Sequence, residues 1–443
     1  MGKLNLYILS VLVILVSSFL ISCHSHKRNV QRTLDERIQS NGLFNDHLYG
    51  IQIYDPEVDK EIYAFNAHKL FIPASNIKIL TLYTAMKTLG DSLISHTYKT
   101  IENHHYIWGM ADPTTLHPKF EDQPNSLRIL PDSPEGLTFC QNHVFFKPLG
   151  PGWAWDDYTY AYQTERSSFP LYANQMWYTK AKDSTRLLDF FPRAFNHTIS
   201  LDSVLRYMRT PQSNKFEISL PPEESDDFAL NIPMHMSEHA FRTLLNQITS
   251  HEVKISHQCP DQTGANAVFS TRAVEAYQIM MQDSDNFMAE QLLLMCAGAT
   301  FGNLYPKEII NHMQNEYLDQ IKDEIQWVDG SGLSRYNLIS PAALVTVLSQ
   351  LLKEMSWEEI KLIFAAGGQS GTLRHWYKNI DGAEPYIYAK TGTLSGSHCL
   401  SGYLKTDQGK TLIFSFMHNN YLGSSSIVKR KMEGLLHFVK SNY

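Results

Sequence analysis

Three short motifs in this chain carry side chains that can do chemistry together. A Ser-Asn-Ile-Lys motif at residues 75–78 supplies a hydroxyl and an amine three positions apart. A Ser-Asp-Asn triplet at residues 284–286 adds a second hydroxyl and an amide, and a Lys-Thr-Gly motif at residues 390–392 adds a cation. A nucleophile, a base, a relay and a cationic anchor are the groups needed to transfer an acyl group from an anionic substrate to a serine.

Ser75 and Lys78 are the predicted nucleophile and base because of where they lie. They open an apolar run, residues 77–89, whose pattern predicts a helix buried in the centre of a domain. A step of three residues puts both side chains on one helix face, and burial beside a second cation, Lys390, lowers the pKa of a lysine towards the neutral form. The alternative is a serine that caps the helix and a lysine that reaches solvent.

A second serine–lysine pair with the same spacing, Ser426 and Lys429, has a different setting. It follows the Lys-Thr-Gly motif and lies beside Arg430 and Lys431 on a predicted surface helix. A lysine there stays solvated and protonated, so we predict that this pair holds no nucleophile.

The other two motifs lie where an element begins or ends. The Ser-Asp-Asn triplet precedes an apolar helical run, which predicts a loop at a helix start. Ser284 could relay a proton and Asn286 could orient a substrate peptide group, whereas the alternative is an ordinary helix cap. Lys390 follows a strand-like stretch at residues 385–389 and suits a substrate carboxylate, whereas the alternative is a solvated strand edge. Gly392 allows another group to approach the backbone closely.

These motifs and their surroundings resemble one family. The matching segments are residues 71–78, 284–290, 329–335, 371–374 and 389–396, within a similarity that runs from about residue 43 to residue 420. The chain is similar to the class C low-molecular-mass penicillin-binding proteins, the D-alanyl-D-alanine carboxypeptidase/endopeptidase family. The resemblance implies a serine-type hydrolase that acts on peptidoglycan stem peptides through an acyl-enzyme, is inhibited by β-lactams and uses no cofactor or metal.

The same resemblance implies the catalytic roles. Ser75 would be acylated, Lys78 would be its general base, and Ser284 with Lys390 would relay the proton to the leaving group. The backbone N–H groups of Ser75 and Thr393 would form the oxyanion hole, whose loss typically costs about a hundredfold or more in rate.

Residues that bind the substrate are implied as well. Asn286 would contact the substrate amide, and Thr391 would hold the terminal carboxylate. In a Gly-Trp-Ala-Trp-Asp-Asp motif, Asp156 with Trp153 would read the ammonium end of the diamino acid of the stem, with Arg335 near its carboxylate. The alternative is an aromatic corner that holds the surrounding segment together.

Distances along the chain predict its division into domains. About 200 residues separate Lys78 from Ser284, too many for a loop within a compact domain. We predict a catalytic domain formed by residues 43–94 and 266–443, with an inserted domain at residues 95–265. The fold class is α+β, and the resemblance implies a serine β-lactamase/transpeptidase-like domain, an antiparallel sheet flanked by helices, with a large insert.

Alternating patterns predict the elements of the catalytic domain. An opening hairpin is followed much later by three strands and a closing helix, with helices that cover the sheet between about residues 271 and 355. The predicted strands and closing helix are residues 47–54, 62–71, 386–394, 398–405 and 411–418, then 425–441.

Composition limits the function classes. With 443 residues, 43% of them hydrophobic, the chain can bury a large core. A net charge of −7 and the lack of a long basic tract argue against a nucleic-acid partner.

Three other chemistries use parts of the same sequence. A β-lactamase shares the motifs but needs a fast deacylating base, and the Glu-x-x-Leu-Asn motif of class A enzymes is absent. A penicillin-binding sensor or scaffold would stay acylated. A zinc hydrolase would use His235, Glu238 and His239, but Ser237 is predicted to cap the helix that begins at Glu238, which leaves His235 outside it.

The N-terminus predicts export. Residues 1–22 have a basic start and an apolar stretch, as in a signal peptide, and Leu-Ile-Ser-Cys at residues 20–23 resembles the lipobox of bacterial lipoproteins. Cys23 would then be lipidated, and residues 23–42 would tether a periplasmic protein to a membrane. The alternatives are a signal anchor or an unlipidated secreted protein.

Four further cysteines allow three disulfide connectivities. Cys296 and Cys399 are expected as small buried residues on a helix and a strand. A bridge between Cys140 and Cys259 is one alternative, and free thiols are the other.

Cys23→Ala should move the protein from the detergent phase to a soluble or precursor form, because each buried CH₂ of an acyl chain contributes about 0.8 kcal/mol to membrane binding. Phase partitioning with N-terminal sequencing measures this. Unchanged partitioning with an intact N-terminal methionine would indicate an uncleaved signal anchor instead.

Overall fold

The computed structural model describes residues 32–38, 47–120, 136–181, 187–222, 228–249, 252–321, 323–379 and 382–443. The α-helices are α1 (32–38), α2 (Lys78–Thr88), α3 (Glu238–Ile248), α4 (Ala273–Gln282), α5 (Asn286–Phe301), α6 (Pro306–Glu316), α7 (Pro341–Glu354), α8 (Trp357–Ile363) and α9 (Ser425–Asn442). The strands are β1 (Leu48–Asp55), β2 (Lys60–Phe65), β3 (Ser92–Ile101), β4 (His104–Gly109), β5 (Gly136–Cys140), β6 (Gln175–Lys180), β7 (Leu188–Phe191), β8 (Asn196–Leu201), β9 (Arg206–Arg209), β10 (Lys215–Leu220), β11 (Ala229–Pro233), β12 (Val253–Ser256), β13 (Asn266–Arg272), β14 (Ala365–Ala366), β15 (Ile387–Leu394), β16 (Ser397–Lys405) and β17 (Thr411–Asn419).

A six-stranded antiparallel sheet joins the two ends of the chain. Its order is β14-β15-β16-β17-β1-β2, so the opening hairpin pairs directly with the last strand. Helices α2, α4, α5 and α7 bury their apolar residues in a core on one face, whereas α1 and α9 cover the other face. The α+β fold class with helices on both sides of an antiparallel sheet is confirmed.

Helix α2 lies in the middle of the first core because it has no polar face. Residues from Lys78 to Ala85 are all buried, as the uninterrupted apolar pattern predicted. Helix α5 is similar, with twelve buried residues among its sixteen, and these two helices pack against each other. The first and second motifs are thereby brought together from positions about 200 residues apart.

One predicted element at the start of the chain was wrong. The second strand of the opening hairpin ends at Phe65 and not at residue 71, because Asn66 adopts a left-handed backbone (φ 48°) that a strand cannot continue through. Part of the predicted tether is helical: in α1, Leu34 and Ile38 lie four residues apart and are buried in the core beside α9.

Between the first and second motifs the chain builds three further sheets around a core of its own. These are β12-β5-β4-β3-β13, β8-β10-β9 and β11-β6-β7, and their shared apolar cluster includes Phe139, Tyr178 and Phe216. A disulfide joins Cys140, the last residue of β5, to Cys259, three residues after the end of β12. Of the two alternatives, the bridge is therefore the one observed. Cys296 and Cys399 are free and buried, as predicted.

The predicted domain boundaries lie close to a strand pair. Strand β3 begins at Ser92, a few residues before the predicted boundary at residue 95, and pairs with β13, which begins at Asn266. The division itself stays a prediction. Residues 1–22 and Cys23 lie outside the described residues. No helix among the described residues is long and apolar enough to cross a membrane.

Candidate active site

Ser75 lies in a single 3₁₀ turn, Ala74–Ile77, that runs directly into α2. Lys78, the first residue of α2, is fully buried, and its Nζ donates a hydrogen bond to the Ser75 Oγ over 3.0 Å. The predicted step of one turn therefore does bring the amine to the hydroxyl.

Two other acceptors surround the Lys78 amine. The Asn286 Oδ1 lies 2.6 Å from its Nζ and the Ser331 carbonyl oxygen 2.7 Å. Burial lowers the pKa of Lys78 to about 8, although the carboxylates of Asp285, Asp329 and Glu290 oppose the shift. An ammonium held only by neutral acceptors in a dry pocket loses its proton more easily than one in water, so Lys78 can accept a proton near neutral pH.

Lys390 brings the third motif to the second. It is fully buried on β15, and its Nζ donates to the Ser284 Oγ over 2.8 Å and to the Thr391 carbonyl oxygen over 2.8 Å. Burial and then the Lys78 charge hold the pKa of Lys390 well below its ordinary value. Of the two predicted causes of a lowered pKa at Lys78, burial is present, whereas the charge repulsion between the two lysines lowers the pKa of Lys390 instead.

The loop before α5 both caps the helix and presents a hydroxyl. The Asp285 side chain accepts from the Met288 N–H over 2.9 Å, which is the N-cap of α5. Ser284 has a left-handed backbone (φ 61°), a costly conformation for a residue with a side chain. The sequence left a cap and a functional hydroxyl as alternatives, but a cap on Asp285 and a Ser284 hydroxyl bound to Lys390 coexist on neighbouring residues.

Two glycines let the backbone segments of the site touch. A Cβ on Gly392 would lie 2.5 Å from the Pro73 carbonyl oxygen and 2.9 Å from the Ser75 nitrogen. A Cβ on Gly332 would lie 1.8 Å from the Ala74 carbonyl oxygen, and its φ of 80° also favours glycine. The strand of the third motif and the 329–335 loop therefore press against the turn that carries Ser75.

Two buried carboxylates hold the 329–335 loop, and sequence reasoning gave neither of them a role. Asp329 accepts from the Gly332 N–H over 2.9 Å and from the Ser334 N–H over 2.7 Å. Glu290 accepts from the Ser331 N–H over 2.8 Å, which fixes the carbonyl that binds Lys78. The sequence signal was present, since both residues belong to segments that resemble the family, but only the fold shows what they bind.

The segment between the motifs reaches the site through three polar contacts. The Asn286 Nδ2 donates to the Tyr162 carbonyl oxygen over 2.9 Å, and the Trp153 Nε1 donates to an Asp329 carboxylate oxygen over 3.0 Å. The Arg166 guanidinium pairs with Glu290 at 3.2 Å, and both are almost fully buried.

An open cleft of about 830 Å³ runs past Ser75, Ser284 and Asn286. Its remaining lining, among the described residues, comes from the inserted segment, the 329–335 loop, β15 and the loop before α9: Gly152, Ala154, Asp157, Tyr162, Gly332, Leu333, Arg335, Thr393, Leu394, Ser395, Gly396, Tyr421, Leu422, Gly423 and Ser425. The Ser75 hydroxyl therefore lines an open cleft together with Ser284 and Asn286.

Of the predicted substrate-binding residues, the structure brings Asn286, Arg335 and Thr393 to this cleft. Thr391 is buried, with its Oγ1 2.7 Å from the Thr372 Oγ1. The Arg335 guanidinium donates to the Ser395 carbonyl oxygen over 2.8 Å.

The predicted pair Trp153 and Asp156 is placed differently. The Trp153 indole is turned to Asp329, and Asp156 is exposed to solvent on a single 3₁₀ turn. The neighbouring Asp157 lines the cleft instead, beside Tyr162. A hydrogen bond between these two side chains, added to burial, raises the pKa of the Tyr162 hydroxyl. The motif thus lies beside the cleft, but the carboxylate that lines the cleft is Asp157 and not the predicted Asp156, because the 3₁₀ turn sets the direction of each side chain.

The sequence model of the D-Ala-D-Ala carboxypeptidase 3 (S13) family matches residues 30–187 and 212–441. The chain belongs to this family. The D-alanyl-D-alanine carboxypeptidase of Actinomadura sp. (strain R39) is 23% identical over 431 residues, which cover 85% of this chain and 79% of that protein. The D-alanyl-D-alanine carboxypeptidase DacB of Haemophilus influenzae is 29% identical over 175 residues, 37% of this chain and 35% of that protein.

The fold agrees with this membership. The crystal structure of penicillin binding protein 4 (dacB) from Haemophilus influenzae superposes with a TM-score of 0.70 at 17% sequence identity, covering 93% of this chain and 99% of that one. The resemblance inferred from the motifs is confirmed at the level of the family and of the fold, and the chain is a member of a family of D-alanyl-D-alanine carboxypeptidases.

The residues that suggested zinc chemistry do not share a helix face. Ser237 caps α3, with its side chain accepting from the Ala240 N–H over 3.2 Å. His235 therefore lies outside the helix, as predicted, where its Nδ1 is 2.9 Å from a Glu165 carboxylate oxygen. Within the described ranges, no group of three or more His, Cys, Asp and Glu residues is placed to hold a metal ion.

If Lys78 takes the Ser75 proton, acylation should depend on pH with an apparent pKa near 8. The ammonium form cannot accept a proton, so the rate should fall about tenfold per pH unit below 8 and level off above it. The second-order rate constant for labelling by a fluorescent penicillin, measured from pH 6 to 10 with thermal melting at each pH, tests this. A rate that is flat from pH 6 to 9 would exclude a titrating Lys78.

Proposed function

We propose that this protein is a serine-type D-Ala-D-Ala carboxypeptidase, endopeptidase or both, acting on peptidoglycan stem peptides through an acyl-enzyme at Ser75. The observation that carries the proposal is the buried Lys78 amine, 3.0 Å from the Ser75 hydroxyl, which lines an open cleft. Family membership supports the reaction class.

The geometry supports a two-stage mechanism. The Ser75 Oγ attacks the carbonyl carbon of the penultimate D-alanine while its proton passes to Lys78. The tetrahedral oxyanion would be stabilised by the backbone N–H groups of Ser75 and Thr393. Ser284, held by Lys390 over 2.8 Å, would pass a proton to the leaving amine as the peptide bond breaks. Water then attacks the ester carbonyl carbon and gives its proton to Lys78. The bond between that carbon and the Ser75 Oγ breaks, the proton returns to the Ser75 oxygen, and the peptide is released as the acid.

The role of Asn286 has two parts in this proposal. Its oxygen holds the Lys78 amine at 2.6 Å and its nitrogen donates to the Tyr162 carbonyl oxygen. A substrate amide that enters the cleft would form a hydrogen bond with the exposed part of the Asn286 side-chain amide. Asn286 thus links the position of the base to the position of the bound peptide.

β-Lactams would acylate the same serine, because they combine a carbonyl with a nearby carboxylate. The structurally similar penicillin binding protein 4 of Haemophilus influenzae is also described in a complex with a β-lactam. We also propose a periplasmic, lipid-anchored location. The Cys140–Cys259 disulfide supports it, since such bonds persist in oxidising compartments.

Ser75→Ala should abolish covalent labelling by a fluorescent penicillin and the release of D-alanine from a monomeric pentapeptide stem, because the nucleophile is lost. Ser426→Ala is the matched control, since Ser426 is also followed by a lysine three positions later, and it should behave as wild type. Mass analysis of products from pentapeptides and from crosslinked dimers separates carboxypeptidase from endopeptidase action. Undiminished labelling of Ser75→Ala, or penicillin labelling without any peptide turnover, would overturn the proposed enzyme function.

Asp157→Asn should reduce the preference for a stem with a free diaminopimelate end over one whose side-chain amine is acetylated. A lost hydrogen bond between charged groups is worth roughly 1.5–3 kcal/mol, or about tenfold or more in kcat/KM. Asp156→Asn is the control on the neighbouring exposed carboxylate and should keep the preference. A loss of preference in Asp156→Asn but not in Asp157→Asn would assign the contact to Asp156. Equal rates of the wild type on both stems would show that this segment does not select between them.

A further inference from the structure

Thr393 and His398 face each other on the neighbouring strands β15 and β16 beside the cleft. They are partners in the antiparallel register of β15 and β16, and the Thr393 Oγ1 lies 2.8 Å from the His398 Nδ1. Thr393 is exposed and lines the cleft, whereas His398 is only 1% exposed. A buried imidazole therefore holds a hydroxyl that faces the substrate.

The direction of this hydrogen bond decides what Thr393 offers to a ligand. A hydroxyl has one proton and two lone pairs. If Thr393 gives its proton to His398, only lone pairs point into the cleft, and these repel a carboxylate. If His398 donates instead, the hydroxyl proton remains available for an anion.

The other ring nitrogen of His398 settles the direction. Its Nε2 is buried and has no hydrogen-bond partner among the described residues. A proton on Nε2 would be a buried donor without a partner, which is rarer and costlier than an unpaired acceptor. A proton on Nδ1 has the Thr393 oxygen as its acceptor and leaves only a lone pair unpaired. Burial, with smaller effects of Lys429 and His418, lowers the pKa of His398 to about 3, so the ring is neutral and has one proton to place.

The hydroxyl of Thr391, the other threonine of this strand, is not placed to bind the substrate carboxylate instead. Thr391 is buried, and its Oγ1 is engaged with the Thr372 Oγ1 at 2.7 Å. Of the two threonines, Thr393 is the one in the cleft lining.

We propose that His398 is a positioning residue that donates from Nδ1 to the Thr393 Oγ1 and so turns the Thr393 proton towards the C-terminal carboxylate of the substrate. The inference rests on the proposed D-Ala-D-Ala peptidase function and adds to it a residue that touches no substrate. Selectivity for a free carboxylate then depends on His398, a residue of the neighbouring strand β16.

The test compares a D-Ala-D-Ala peptide with the same peptide ending in a carboxamide. In His398→Asn the amide nitrogen takes the place of Nδ1 and can still donate, whereas His398→Leu has similar bulk and no donor. The ratio of kcat/KM for carboxylate over carboxamide should fall roughly tenfold or more in His398→Leu, through a raised KM for the carboxylate, and should be largely kept in His398→Asn. Equal losses in both variants would overturn the proposal.

A double-mutant cycle separates positioning from a general structural effect. In a Thr393→Val background, His398→Leu should change the ratio no further, because the hydroxyl that it orients is already gone. The same fall in both backgrounds would contradict the proposal. Failure of the proposed function is seen separately, as a wild type that turns over neither peptide.

A measurement on the wild type does not depend on whether the variants fold. In ¹⁵N-histidine-labelled protein, the ring signals of His398 should show the proton on Nδ1. These signals are assigned by their absence in His398→Asn. If that variant does not fold, they are assigned by elimination against the other histidines. A proton on Nε2 would overturn the inference.

Discussion

The burial of the Lys78 amine is the constraint on which the rest of the site depends. An amine at the start of a helix with no polar face cannot be hydrated, so protein acceptors must replace water, and they come from three separate segments: the Ser75 hydroxyl, the Asn286 amide and the Ser331 carbonyl. The same burial brings its pKa to about 8. One desolvated group therefore explains both the convergence of the motifs and the ability of the lysine to act as a base.

The acceptors around Lys78 are themselves held by buried charge. Glu290 fixes the Ser331 backbone and pairs with Arg166, a residue of the inserted segment. Removing one partner of a buried pair generally costs about 3–5 kcal/mol, because the other charge is left uncompensated. The segment between the motifs is therefore tied to the catalytic core by interactions that act on the base as well as on the packing.

The low sequence identity to the relatives is consistent with a tolerant apolar core around a more constrained site. The structure from Haemophilus influenzae shares the fold at 17% identity, since apolar cores tolerate extensive substitution when volume and pattern are kept. The groups around the lysine and the serine are less free to vary, because each is a hydrogen-bond partner at 3.0 Å or less or a glycine where an added Cβ would clash with the backbone. A residue such as His398, on the strand beside the cleft-lining Thr393, can modify the ligand contact without altering the motifs.

The sequence by itself determined the local parts of this protein. The apolar run after Ser75 predicted a buried helix, the spacing of three predicted the contact of Lys78 with the hydroxyl, and alternation predicted the last three strands to within one or two residues, because these depend only on neighbours along the chain. The tertiary structure alone decided which groups meet across long separations. It placed Asp157 and not Asp156 in the cleft, turned the Trp153 indole to Asp329 and packed α1 against the core. These outcomes are set by turn geometry and by packing between distant segments, which a linear pattern does not encode.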